Sequence, residues 1–184
     1  MDTDQQVKGW IKRIQKFAHK KSANWLISHY FDEIYGYVYK QVSNEETAIE
    51  VTQETFVSML QSIVGYDDSK SSFRTWLYKI TKRRIVDYYR SNGYKEDRLM
   101  AIDDELTSTL VSSLADAHDA LELAEINDFI DELDSTSQEI FKLKVFSGQT
   151  FKGISQILDI PESTVKANFY ATQKLVKEVF LWTD

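Results

Sequence analysis

The chain of 184 residues contains no cysteine, which excludes disulfides, thiolate metal sites and cysteine nucleophiles together. Proline occurs once and glycine six times, too few turn formers for a sandwich or barrel of short strands. No apolar run approaches the roughly 20 residues of a membrane-spanning helix, and the start Met1-Asp2-Thr3-Asp4 is acidic where a secretory leader is basic. His19, His29 and His118 stand apart, with no Glu-x-x-His spacing beside them, so no metal site or catalytic base is indicated. The absences predict a cytoplasmic protein that is not an enzyme, uses no metal or cofactor, and does not insert into a membrane.

What is present points to an ordered helical chain. Apolar residues make up 42% and aromatics 13%, enough to bury a core. The formal net charge is −7, yet it is unevenly divided: residues 1–95 hold 15 Lys+Arg against 11 Asp+Glu, and residues 96–184 hold 7 against 18. A split of +4 and −11 suggests two modules with different surroundings, so the overall acidity does not exclude a nucleic-acid partner.

Apolar residues recur at helical spacing through most of the chain. Val7, Trp10, Ile14 and Phe17 predict an amphipathic helix over residues 5–22 with a basic face, and Leu26, Tyr30, Ile34, Tyr37 and Val38 predict another from Trp25 to Val42. Ser43-Asn44-Glu45-Glu46 reads as a capping box, Ser43 being the cap, and opens a helix with Ile49, Phe56, Leu60 and Ile63 on one face. A polar loop from Gly65 to Ser72 separates it from a helix over Phe73–Arg90. Residues 1–95 thus form a four-helix module. The stretch 96–120 is acidic, with eight Asp+Glu from Glu96 through Glu122 against one Arg, and reads as a tethering linker. A second module over 121–184 follows, with helices at Leu121–Leu133, Thr136–Phe146 (capped by Ser135 with Gln138, stopped near Gly148), Thr150–Leu158 and Glu162–Phe180. The expected fold class is all-α, in two helical modules.

Three segments carry chemistry. Phe73–Arg90 packs six basic groups, one acid and five aromatics into eighteen residues. Cations neutralise phosphates and aromatic faces stack on unpaired bases, a mixture suited to single-stranded or melted nucleic acid. A solvated basic face over a core of Leu77, Ile80 and Val86 is the other reading of the same residues. The pair of short helices around Asp159-Ile160-Pro161 has the spacing of a helix-turn-helix, whose second helix would place its N-terminal side chains in a major groove. Glu50, Gln53 and Glu54 share an exposed helix face and suit a polar contact surface for a partner.

In this order and spacing the segments resemble the extracytoplasmic-function (ECF) group of bacterial sigma factors, in which domains two and four are joined by a linker. The resemblance runs over Ile11–Lys95 and Leu121–Lys177. It rests on Tyr30, Tyr37-Val38-Tyr39, Glu50-Val51-Thr52-Gln53-Glu54-Thr55-Phe56, Phe73-Arg74-Thr75-Trp76-Leu77-Tyr78-Lys79-Ile80, Asp87-Tyr88-Tyr89-Arg90, Gly148-Gln149-Thr150-Phe151, Ile154-Ser155-Gln156-Ile157-Leu158-Asp159-Ile160-Pro161 and Ser163-Thr164-Val165-Lys166. The resemblance implies that Glu50, Gln53 and Glu54 dock on core RNA polymerase. It further implies that Lys70, Ser71, Ser72, Phe73, Arg74, Trp76, Lys79, Lys82, Arg83, Arg84 and Arg90 melt and read the −10 element of promoter DNA. By the same resemblance Ser163, Thr164, Lys166, Ala167, Asn168 and Tyr170 lie on the helix that reads the −35 element, and an anti-sigma factor would hold the protein inactive. The family often has Asn where this chain has Arg83. It commonly reads Lys-Ser-Arg-x-x-Arg-Ala where this chain has Lys166-Ala167-Asn168-Phe169-Tyr170-Ala171-Thr172. Two missing arginines imply weak −35 binding by residues 121–184 alone. The competing readings are a helix-turn-helix regulator acting without polymerase, a sigma-like interaction protein, and a membrane-surface protein using the basic N-terminal helix.

Overall fold

A computed structural model describes residues 3–91, 126 and 128–180 of the chain. The helices are α1 (Thr3–Phe17), α2 (Lys20–Val42), α3 (Glu45–Ser62), α4 (Phe73–Ser91), α5 (Ser135–Val145), α6 (Phe151–Leu158) and α7 (Glu162–Phe180), with one 3-10 turn at Ile63–Gly65. No strand occurs among the described residues. The chain divides into two units, Met1–Met100 and Ala101–Asp184. The expected linker 96–120 and the beginning of the expected helix 121–133 lie outside the described residues.

In the first unit α2 packs against α1, α3 and α4. Its Leu26, Ile34 and Val38 are fully enclosed, together with Val51 and Met59 of α3 and Leu77 and Tyr78 of α4. Each fully buried large aliphatic side chain contributes about 1.5–3 kcal/mol relative to exposure. Val7, Ile11 and Ile14 close the core from α1. Thr55 and Thr81 are buried without cost to their hydroxyls, which donate to the Val51 and Leu77 carbonyls at 2.8 and 2.9 Å.

Three expectations about this unit are corrected. The helix expected over 5–22 breaks at Ala18, which sits in the left-handed region at φ 48°. His19 then caps α2, its Nδ1 accepting from the Ser22 amide at 3.2 Å. The boundary, expected between residues 22 and 25, lies earlier because the helical period on both sides does not fix where one helix stops. The cap of α3 is Asn44, accepting from Thr47 N at 2.9 Å, and not Ser43. Ser43 instead closes α2 in the left-handed conformation at φ 50°, its amide donating to Tyr39 O. Ile49, expected on one face with Phe56 and Ile63, is exposed while those two are buried; the inward residues of α3 are Ala48, Val51, Thr52, Thr55, Phe56 and Met59.

In the second unit α5, α6 and α7 enclose Ile140, Leu143, Ile154, Ile157, Val165 and Phe169. The cap of α5 is Asp134 rather than Ser135: its carboxylate accepts from Thr136 N and Ser137 N at 3.1 and 3.0 Å. These bonds, first those from Ser137, hold the Asp134 carboxyl below the usual carboxylate range. Gln138 reaches back to the carbonyls of Asp131 and Leu133, both at 2.8 Å. Gly148, at φ 57°, turns the chain so that Gln149 N donates to Leu143 O at 2.9 Å. Thr150 caps α6 by accepting from Gly153 N at 2.9 Å. Asp159 ends α6 in the left-handed region, and the Ser155 hydroxyl donates to Ile160 O at 2.6 Å, fixing the turn into α7.

Candidate functional site

On α3, Glu50, Gln53 and Glu54 are exposed on one face, as expected, between Ile49 and Val57, which are 38% and 54% exposed. Ile49 was expected on the apolar face and Val57 was not singled out from the sequence; together they turn an acidic stripe into a mixed patch. Apolar area flanked by charge is the composition of a protein contact surface.

The loop from Tyr66 to Ser72 is held at its base and across its span. Gln15 of α1 donates from Nε2 to Ile63 O at 2.8 Å and Tyr66 O at 2.9 Å. The Tyr66 hydroxyl donates to Ser71 O at 3.0 Å. Burial, with Asp68 next in effect, pushes the Tyr66 phenol up to about 12, so it stays a donor at neutral pH. Asp67 accepts from the Ser69 amide and hydroxyl at 2.9 and 2.7 Å, and these bonds lower its carboxyl below the usual range. Ser72 caps α4, its Oγ accepting from Thr75 N at 3.1 Å.

Behind this loop stands an aromatic cluster. Phe73 contacts Tyr30, Tyr66 and Trp76 at centroid distances of 5.4, 5.4 and 5.6 Å. Phe73 is only 5% exposed, which corrects its expected place among the DNA-contacting residues: its ring is filled by neighbours on the core side of α4. Trp76 is partly open beside the loop and packs against Tyr66 in a tilted pair, centroids 5.1 Å apart. Arg74 is likewise drawn inward, its Nε donating to Glu33 of α2 and its guanidinium lying 5.8 Å from the Tyr78 ring. The Glu33–Arg74 pair joins residues 41 apart in sequence, beyond the reach of local patterns. Among the other expected residues, Lys70, Arg83 and Arg90 are exposed and Lys79 and Lys82 partly so. Arg84 pairs with Asp87 at 3.4 Å. α4 therefore shows an outward cationic edge beside a Trp held by the loop.

In the second unit Val165, Phe169 and Thr172 of α7 face the core, leaving Ser163, Thr164, Lys166, Ala167 and Tyr170 exposed and Asn168 half-buried. Lys166 is tied to Glu162 at 2.6 Å, and this hydrogen bond raises its ammonium above the usual lysine value. No arginine occurs beyond Arg98, so the outward face of α7 has few charges to give to phosphates.

No helix among the described residues is long and apolar enough to cross a membrane, and no group of three or more His, Asp and Glu is placed to hold a metal there. Comparison with known proteins adds the decisive observation. Residues 26–94 match Sigma-70 region 2 and residues 123–171 match Sigma-70, region 4, together more than half of the chain. An ECF RNA polymerase sigma-E factor of Haemophilus influenzae is 25% identical over 175 residues, covering 91% of each chain. The chain belongs to the ECF group of the sigma-70 family. Among other ECF sigma factors, SigK of Mycobacterium ulcerans is 29% identical over 142 residues, 76% of this chain and 75% of that one. The solved structure of CnrH in complex with the cytosolic domain of CnrY shares the fold, with a TM-score of 0.68 over 97% of this sigma factor and 99% of that chain at 16% identity.

Proposed function

We propose that this ECF sigma factor directs core RNA polymerase to a subset of promoters, helps melt the −10 element and then dissociates, acting in the cytoplasm without catalysis of its own. The observation that carries the reading is the cationic edge of α4 beside Trp76 and the hydrogen-bonded loop 66–72. Phosphates of a melted strand find Lys70, Lys79, Lys82, Arg83 and Arg90 there, and an unpaired base finds an aromatic face; each such stack contributes about 1–3 kcal/mol. Ser71 and Ser72 shape the loop, while Phe73 and Arg74 support it from the core side and Arg84 is shared with Asp87. The α3 patch of Glu50, Gln53, Glu54, Ile49 and Val57 is the surface offered to core polymerase. The α7 stripe reads −35 duplex weakly, having one tied lysine. An anti-sigma factor is a further partner, in keeping with CnrH, whose structure holds the cytosolic domain of CnrY.

Co-elution with purified bacterial core RNA polymerase tests the reading. The wild-type chain is expected to co-elute, and the double charge reversal Glu50→Lys/Glu54→Lys to lose binding by on the order of tenfold or more, since like charge set against a complementary surface costs several kcal/mol. Both positions are exposed, so the variant keeps its circular dichroism. A folded wild-type chain that ignores core polymerase would instead favour a helix-turn-helix regulator or a sigma-like interaction protein.

A further inference from the structure

The corner between α1 and α2 carries charge that neither the α3 patch nor α4 uses. Lys8, Lys12, Arg13 and Lys16 of α1 and Lys20 and Lys21 of α2 are all exposed, and no ion pair among the described residues engages them. Lys8, Lys12 and Lys16 recur every four residues along one side of the helix, about 6 Å apart by helical rise. At the end of the row Phe17 is 68% exposed, with the Lys16 ammonium 5.3 Å from its ring centroid.

This row is continuous with the loop beside α4. Lys8, Ile11, Lys12 and Gln15 share a small open pocket of about 170 Å³ with Tyr66, Asp67 and Asp68. Gln15 holds the base of the same loop by its two hydrogen bonds. A strand whose base rests against the loop thus passes within reach of α1. We propose that the outward side of α1, with Lys8, Lys12, Lys16 and Phe17, is a phosphate rail for the single-stranded DNA flanking the base held at loop 66–72. The proposal rests on the −10 reading of that loop. Two observations favour a single strand over an anionic membrane. The apolar side of α1, Val7, Ile11 and Ile14, is spent in the core and cannot enter a lipid surface. Cations in a row with an exposed aromatic are the elements of a single-strand track.

The test uses the full chain bound to bacterial core RNA polymerase and a fluorescent single-stranded −10 oligonucleotide, with anisotropy read between about 50 and 200 mM salt. The triple variant Lys8→Gln/Lys12→Gln/Lys16→Gln keeps α1's buried side and its co-elution with polymerase. Its affinity is expected to fall on the order of tenfold, and the slope of log affinity against log salt to shrink by about 2, three contacts at about 0.7 each. Asp68→Asn, which removes an opposing charge from the same pocket, is expected to raise the affinity. Unchanged affinity and slope in a folded, polymerase-bound triple variant overturn the rail and leave the −10 reading standing. A wild-type complex that ignores the oligonucleotide overturns the −10 reading and the rail with it. Vesicles rich in phosphatidylserine that bind wild type but not the triple variant, with oligonucleotide affinity unchanged, overturn the rail in favour of a membrane.

Discussion

A single side chain shows how charge is managed in the second unit. Lys142 is 8% exposed at its side chain and its ammonium donates to Asp131 Oδ1 at 2.6 Å. Removing the partner leaves a buried cation without its counter-charge, whereas replacing the lysine by an apolar residue of similar length removes the problem. Asp131→Ala is therefore expected to destabilise the unit by about 2–3 kcal/mol, discounted from the fully buried case because Asp131 is partly exposed, while Lys142→Met is close to neutral. Urea titration followed by amide exchange in α5 distinguishes the two. Asp134 gives a pH signature. Its folded carboxyl is lowered by capping bonds, so its stabilisation is present above the unfolded value of about 3.9 and is lost as pH falls through the folded value. Asp134→Asn keeps a capping oxygen but has no proton to take up. Wild type is expected to lose stability below about pH 4 more steeply than this variant, as read by acid titrations of α5 helicity.

Among elements, the helices themselves were legible and their ends were not. α4, expected from Phe73 to Arg90, runs Phe73–Ser91, and α7 runs Glu162–Phe180 as expected. Both begin where a polar or proline-containing turn meets an apolar period. The caps were displaced by one residue at α3 and α5 because Ser43-Asn44 and Asp134-Ser135 each offer two competent oxygens, and only the backbone decides between them. The α1–α2 break was expected after residue 22 and falls at Ala18, because an alanine there adopts the conformation glycine usually marks. Ala18→Gly is expected to stabilise the first unit by about 0.5 kcal/mol, relief of left-handed strain exceeding the entropy glycine adds to the unfolded chain. A lower melting temperature for this variant would show that Ala18 is unstrained.

Across the whole molecule, the charge split between the two halves announced two modules and both sites fall within them. What the sequence could not show were pairings between distant residues: Gln15 with Ile63 and Tyr66, Glu33 with Arg74, Tyr89 with Gln41. These decide which of the candidate DNA residues face outward. The two nucleic-acid surfaces are expected to respond differently to salt. Single-strand binding, carried by many exposed lysines and arginines in residues 1–95, should weaken steeply between about 50 and 200 mM salt. Duplex −35 binding by the chain without polymerase should be shallow and weaker than about 1 µM at physiological salt. A submicromolar duplex affinity in a fluorescence titration would contradict the weak-reader assignment.

The interleaving along α7 has an evolutionary consequence. Val165, Phe169 and Thr172 anchor the helix, while Ser163 before them and Ala167 and Tyr170 between them touch solvent. Under the proposed −35 reading, promoter preference can therefore drift one outward side chain at a time, with the scaffold shielded from the change. On that reading, a lineage copying this gene could acquire a new regulon by substituting Ala167 or Asn168 long before it had to reinvent a fold.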